Sequence, residues 1–255
     1  SGFGSVHAVP ENFPTIQSAL DICVEGDTVL VAQGTYNELL TIPPVGLSLV
    51  SNYIFSNDTL DINNTVLDGL FAGTVITIDQ NRPFFILKGL TIKGGIGYWD
   101  SGATGGGLNI HGCDSLVLDH LIFEGMRSST VGAVGFIRME DGNSQNLTMR
   151  NILIRDLNME EPVSYASNVL KIRLSGNLYL ENIEINGSGQ SWPGLKILGD
   201  GKGFVKNFRA HNSYNAVGKP VSIQVYDSLY VEDFVVENNH FHFSEYSQMS
   251  FGGIG

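Results

Sequence analysis

The sequence predicts an all-β protein: a single-stranded right-handed parallel β-helix solenoid, with about three short strands per coil and an N-terminal amphipathic capping helix. Three observations support this. An apolar pattern recurs six times along the chain. Residues that favour turns fill the segments between its copies. The composition is rich in glycine, with 31 residues, and only 16% charged, which disfavours a helical bundle, while 42% hydrophobic residues disfavour disorder.

The recurring pattern is apolar-x-apolar-x-x-apolar-x-apolar. Its copies are Phe85–Ile92, Leu116–Phe123, Leu147–Ile154, Leu178–Ile185, Gly203–Ala210 and Leu229–Val236. Each copy contains two halves of period 2, which is the side-chain alternation of a strand. A two-residue corner joins the halves, and its second residue is always Gly, His, Asn or Asp, the types that best tolerate a left-handed backbone.

A further short strand is predicted before each copy, which gives three strands per coil. These strands are 75–79, 108–111, 136–140, 169–174, 195–198 and 221–226. A β-propeller is the alternative, but it would have four strands per repeat and a longer period.

The residue that precedes each corner alternates in charge along the chain. The six residues are Lys88, Asp119, Arg150, Glu181, Lys206 and Glu232. A second line, five residues further on, shows part of the same alternation: Lys93, Glu124, Arg155, Asn186, His211 and Glu237. Because opposite charges on neighbouring strands attract, both lines predict that successive copies stack in register.

Residues 1–45 are predicted to form an N-terminal cap, followed by coils over residues 46–255. A short helix is expected over residues 14–23, where Ile16, Ala19, Leu20 and Cys23 fall on one face. Such a helix would cover the open strand edges of the first coil. The tail after residue 237 resembles the start of another coil, so we expect the solenoid to continue in a longer chain.

The N-terminal motifs resemble a known family. VPENFPTIQSALD at residues 9–21, GDTVLV at 26–31, GTYNE at 34–38 and LTIP at 40–43 are similar to the opening of pectin lyase-like β-helix proteins. That superfamily includes pectate lyases, pectin methylesterases, polygalacturonases and bacterial surface proteins. The resemblance covers residues 9–43 by motif and 65–238 by repeat pattern. It implies the fold and a secreted or cell-surface location, but no activity, because the matching residues are cap and core positions.

Several partners and cofactors are disfavoured. A net charge of −12 argues against nucleic acid, and no apolar run is long enough for membrane insertion. We expect a monomer. Cys23 and Cys113 lack a metal-ligand spacing and are predicted to be buried as small hydrophobic residues. No cofactor is expected; acidic turns offer oxygen ligands that calcium takes, but no calcium motif indicates such a site.

Enzymes of the resembling families carry recognisable local motifs. Those of pectin methylesterases and polygalacturonases are absent here. The pair Asp119-His120 resembles one found in pectate lyases, but it occupies the corner common to all six copies. We therefore favour a structural role for this pair.

A sharper hypothesis comes from basic residues on the strand before each copy. Arg138, Lys171 and Lys196 are predicted to share one outward line, with His111 and Arg173 on the next. Like charges stacked in an acidic protein are costly unless something anionic compensates them, and an acidic polysaccharide would do so. A lyase also needs a base and an enolate-stabilising cation, so these five residues are the catalytic candidates. The alternative, which we favour for these cations, is that Glu140, Asp200 and acids in the loops neutralise them.

The loops between coils supply the predicted ligand-binding residues. These are Tyr98, Trp99, Asp100, Tyr165, Trp192 and Tyr214. Aromatic faces beside acids and amides suit sugars, although the same rings also suit packing of loops onto the core. The favoured function is an extracellular carbohydrate-binding or adhesion module with a glycan partner. The alternative is a lyase acting on a uronate-containing glycan, and the third possibility is a structural stalk.

Overall fold

The structure is a computed structural model of the 255-residue chain. It describes residues 4–97, 105–128, 134–139, 145–159, 169–187, 195–212, 221–237 and 250–253. Most of these residues are in β-strands, and every strand pair among them is parallel.

The N-terminal part combines short strands with three short helices. Its elements are β1 (Val6–Val9), α1 (Ile16–Leu20), β2 (Thr28–Val31), β3 (Gly34–Tyr36), β4 (Leu40–Thr41), β5 (Leu47–Ser51), α2 (Tyr53–Ser56), α3 (Thr59–Asn64) and β6 (Thr65–Asp68). Strand β1 was not predicted; it pairs with β2 in register from Val6 opposite Thr28 to Val9 opposite Val31.

The predicted capping helix is confirmed but shorter than expected. Thr15 is its N-cap and accepts from the backbone N–H of Ser18, so the helix begins at Ile16 and Pro14 lies before it. The carboxylate of Glu38 accepts from the next two free N–H groups, those of Ile16 and Gln17. The apolar face of the helix is buried against β1 and β2, as its spacing predicted.

The repeating part follows in a regular succession of strands. Its elements are β7 (Ile76–Ile78), β8 (Phe84–Lys93), β9 (Ile96–Gly97), β10 (Leu108–His111), β11 (Ser115–Glu124), β12 (Arg127–Ser128), β13 (Gly135–Met139), β14 (Gln145–Arg155), β15 (Asn158–Met159), β16 (Leu170–Leu174), β17 (Gly176–Asn186), β18 (Leu195–Gly199), β19 (Lys202–His211), β20 (Val221–Val225), β21 (Ser228–Glu237) and β22 (Ser250–Gly253).

Three parallel sheets collect these strands. An 11-stranded sheet contains the six long strands of the repeat, an 8-stranded sheet contains the short strands that precede them, and a 3-stranded sheet contains β9, β12 and β15. Each long strand pairs with its counterparts in the neighbouring repeats. This arrangement is compatible with a parallel β-helix.

The predicted corners and charge lines are confirmed. The second corner residue has a positive φ in every copy, from 50° at Asn207 to 78° at Gly89. We call the residues before the corners the corner row: Lys88, Asp119, Arg150, Glu181, Lys206 and Glu232. Asp119 contacts both of its neighbours in this row, at 3.0 Å from Lys88 Nζ and 3.3 Å from Arg150 Nε.

A ladder of side-chain amides runs through the same corners. Asn151 donates to Asp119 at 3.2 Å, Asn182 donates to Asn151 at 2.9 Å, and Asn207 donates to Asn182 at 2.8 Å. The corner asparagines therefore have two functions: they accept the left-handed backbone and they link successive repeats.

The first corner is glycine because helix α2 lies against it. A Cβ on Gly89 would lie 2.6 Å from Ser51 Oγ and 2.7 Å from Tyr53 Cβ. The ring of Tyr53 also contacts that of His120, the next corner residue, at a centroid distance of 4.6 Å and an interplanar angle of 35°. Helices α2 and α3, which the repeat pattern did not predict, thus cover the first corners.

One apolar core runs through the sheets and contains both cysteines as free thiols. Burial is the main cause that raises the pKa of the Cys23 thiol to about 11 and that of Cys113 to about 12. Both thiols are therefore protonated at neutral pH, which agrees with the predicted role as small hydrophobic residues.

Candidate ligand-binding face

The basic candidates lie on the outward face of the 8-stranded sheet. Alternate residues such as Ile110, Ile137, Ile172 and Ile197 point into the core, so their neighbours point outward. Backbone pairing arranges these neighbours in two rows. The first row is Thr77, Asn109, Phe136, Lys171, Lys196 and Ser222; the second is His111, Arg138, Arg173, Leu198 and Gln224.

The predicted line of Arg138, Lys171 and Lys196 is wrong by two residues in β13. Phe136, not Arg138, lies beside Lys171, and Arg138 lies between His111 and Arg173. Phe136 and Arg138 are successive outward residues of β13, and Phe136 is the one that pairs with Lys171. Because Phe136 is apolar, it was not recognised as an outward residue.

The corrected register brings four cations together in a compact group. Lys171 is paired with Lys196 in the first row, and Arg138 is paired with Arg173 in the second. We call these four residues the cationic face. Neighbouring strands are about 4.8 Å apart, so each pair places two like charges side by side, which is unfavourable without a compensating group.

Phe136 forms an aromatic centre beside the cationic face. Lys171 Nζ lies 5.2 Å from the centre of its ring, within the range of a cation–π contact. The ring of His111 meets it edge-on at 5.8 Å. Phe136 is only 8% exposed, so it supports these two side chains from below.

Two buried polar atoms on this face have unused hydrogen-bonding capacity. Arg173 Nε and Asn109 Oδ1 have no hydrogen-bond partner within the described residues. No acidic side chain in the same ranges forms an ion pair with Arg173 or Lys196. Buried polar groups are normally satisfied, so both atoms have capacity for a further hydrogen bond, to water or to a ligand. Glu140, which was expected to neutralise these cations, lies outside the described residues.

A second group of polar side chains, in the cap, has a structural explanation. A ring nitrogen of His7, Sγ of Cys23 and a carboxylate oxygen of Asp27 lie within 4.8 Å of one another. Burial alone would raise the pKa of the Asp27 carboxyl, but hydrogen bonds from the backbone N–H of Val24, from His7 and from the backbone N–H of Ser5 lower it. The carboxylate is thus fully used in holding the cap, and the Cys23 thiol is protonated.

None of the predicted ligand-binding residues falls within the described part of the chain. They are Tyr98, Trp99, Asp100, Tyr165, Trp192 and Tyr214.

Two aromatic side chains that lie at outward positions of the sheets were not among the predicted site residues. Phe136 was missed because its register was wrong. Phe204 was missed because aromatic ligand-binding residues were expected in the loops. The signal was present in the sequence, since the repeat aligns Phe204 with Tyr179 and Tyr230 at outward positions.

No protein-family model matches the chain, and neither the curated proteins nor the solved structures include a match to it. Of the helices in the described ranges, none has the length and apolar character needed to cross a membrane.

Proposed function

We propose that the chain is an extracellular carbohydrate-binding or adhesion module that binds an acidic, uronate-containing glycan on the cationic face. In this proposal the chain winds as a right-handed β-helix solenoid of the pectin lyase-like superfamily. The motifs of residues 9–43 and the in-register parallel repeats support that assignment.

The cationic face is the observation that carries the proposal. The chain has 14 basic residues against 26 acidic ones, yet four of the basic ones occupy neighbouring positions on one sheet face. A carboxylate-bearing ligand would relieve the repulsion between Lys171 and Lys196. It would also accept hydrogen bonds from Arg173, whose planar guanidinium suits carboxylates.

The shape of the face supports a linear polyanion. Each row offers one side chain per strand, at a spacing of about 4.8 Å along the stack. Phe136, which is only 8% exposed, holds Lys171 and His111 in position from below. Asn109 adds a carbonyl that a sugar hydroxyl would satisfy. A sugar with a carboxylate uses both the cations and this carbonyl.

A lyase acting on such a glycan is the second candidate. His111 lies beside Arg138 and against Phe136, at the border of the cationic face. An imidazole next to cations is suited to proton abstraction with stabilisation of the resulting enolate. A structural stalk is the third candidate, and it needs no ligand on this face.

A glycan array coupled to an ultraviolet assay for unsaturated uronates distinguishes the three candidates. The probes are oligogalacturonate, oligoalginate and hyaluronan oligosaccharides, each titrated at low and high salt. Binding without product supports the module, and product that disappears in Lys171→Ala supports the lyase. Failure of every acidic probe to bind would contradict both and leave the stalk.

Single variants test whether binding occurs at the cationic face. Lys196→Ala and Arg173→Gln are each expected to weaken binding by about tenfold, because each removes a charge-assisted contact. Lys93→Ala is the matched control, since it removes an exposed lysine from the 11-stranded sheet. Equal weakening in the control would indicate that only net charge matters.

A further inference from the structure

A second outward row, on the 11-stranded sheet, carries aromatic side chains. Tyr179, Phe204 and Tyr230 are adjacent in register, and we call them the aromatic row. Their rings stack with centroid distances of 4.8 Å and 5.2 Å and interplanar angles of 4° and 9°. Large rings at outward positions of successive strands are unusual for a solvated sheet face, where polar side chains are the norm.

The aromatic row is held rigidly. The hydroxyl of Tyr179 donates to Glu181 at 2.9 Å, and that of Tyr230 donates to Glu232 at 2.9 Å. Both carboxylates belong to the corner row, where Glu232 also pairs with Lys206. The rings are therefore fixed before any ligand arrives, which lowers the entropy cost of binding.

A groove of about 510 Å³ follows the three strands of the aromatic row and continues onto a fourth strand, β14, where Thr148 takes the place of the ring. Its opposite wall is a polar row, two residues earlier on each strand, formed by Asn146, Asn177, Lys202 and Ser228. Asn177 donates to the side-chain oxygen of Asn146 at 3.1 Å, and within the described ranges the side-chain N–H₂ group of Asn146 donates to no residue. The groove thus has ring edges on one wall and amide and hydroxyl groups on the other.

We propose that this groove is a glycan site separate from the cationic face, and that it takes a linear neutral oligosaccharide lying along the rows. Stacking covers most ring faces and leaves the ring edges exposed. Ring edges are the electropositive part of an aromatic side chain, so they favour oxygen-rich ligands over the apolar side chains of a protein partner. The charges beside the aromatic row do not require a charged ligand, because Glu181, Lys206 and Glu232 already alternate in sign. Lys202 is the one charged residue of the polar row, and its ammonium group can donate to a sugar hydroxyl.

The length of the groove suits a chain molecule. Four strands span three intervals of about 4.8 Å each, so the walls repeat at a spacing comparable to that of successive pyranose units. Asn146, Asn177 and Ser228 then offer a donor or acceptor to successive sugars. This site does not depend on the proposed function, because it lies on a different sheet from Lys196 and Arg173.

Titration with cellohexaose, xylohexaose and mannohexaose, followed by saturation-transfer difference NMR, tests the site. At least one hexasaccharide is expected to bind. Phe204→Ser, which removes the central ring, should weaken that binding by about tenfold, since a well-placed ring contact contributes roughly that factor. Asn146→Leu changes an exposed residue and leaves the rings in place, so it should weaken binding by about fivefold without loss of folding.

Two controls keep the result specific. Arg209→Gln alters an exposed side chain beyond the corner on the same strand as Phe204, and Lys196→Ala alters the cationic face; neither should affect hexasaccharide binding. Absence of binding by all three hexasaccharides would overturn the proposal, as would binding that persists unchanged in both groove variants. Self-association that depends on Phe204, without sugar binding, would instead identify a protein interface and also overturn it.

Discussion

The corner row and the cationic face use the same register of parallel strands with opposite arrangements of charge. Along the corner row the sign alternates at every step, and Asp119 contacts both Lys88 and Arg150. On the cationic face, lysine follows lysine and arginine follows arginine. The strands pair in parallel register in both regions, so the two regions differ in the order of their charges and not in their backbone arrangement.

Alternation gives each charge an opposite neighbour within the row, whereas repetition places like charges side by side, so that compensation has to come from outside the row. The corner row therefore stabilises the stack. The like-charged pairs of the cationic face supply no such attraction between their strands, although a chain with net charge −12 has acids enough for an alternating arrangement.

The largest effect on the corner row should come from Asp119→Ala. Asp119 is 1% exposed and holds Lys88, Arg150, His120 and Asn151 together. Its removal leaves partly buried cations unpaired, so the free energy of unfolding should fall by about 2–3 kcal/mol in urea titrations. Glu232→Gln, in the same row but more exposed, is the matched control and should cost clearly less. Equal losses in both variants would show that burial of the row does not matter.

The amide ladder should give a smaller effect. In Asn182→Ala the hydrogen bonds to Asn151 and Asn207 are lost and a non-glycine residue must keep a φ of 54°. We expect a loss of about 1–2 kcal/mol. Asn182→Gly keeps the left-handed backbone and removes only the side chain, so its free energy of unfolding should lie between those of the wild type and Asn182→Ala. A glycine variant less stable than the alanine variant would contradict this assignment.

Acidification should weaken the corner row at its buried carboxylate. Burial raises the pKa of Asp119, but hydrogen bonds from Lys88 and Asn151 and the charges of His120 and Lys88 outweigh it, so the pKa lies below its ordinary value. A lowered folded pKa stabilises the protein above the ordinary aspartate pKa of about 3.9, and this stability is lost as the pH falls through the lowered value. The difference in unfolding free energy between wild type and Asp119→Asn should therefore shrink below about pH 4. If this difference stays constant from neutral to strongly acidic pH, the pKa of Asp119 is not lowered by folding.

The sequence predicted the corner row better than the cationic face. The corner residues lie inside a strict apolar pattern, so one alignment fixes Lys88, Asp119 and their successors together. The short strands before the repeats have few core residues, and the loops that precede them vary in length. The sequence of β13 alone therefore did not determine which residues Arg138 pairs with. Helices α2 and α3 were not predicted because they are one or two turns long and interrupt the repeat rather than belong to it.

The smallest change in stability is expected for Lys196→Glu. This variant also tests most directly whether the cationic face binds an acidic glycan. This substitution places an opposite charge beside Lys171, so that this one pair has the charge arrangement found in the corner row. The free energy of unfolding should rise by about 0.3 kcal/mol, while affinity for the acidic oligosaccharide bound by the wild type should fall by at least about tenfold. Affinity that is unchanged in Lys196→Glu would contradict the claim that the cationic face binds an acidic glycan.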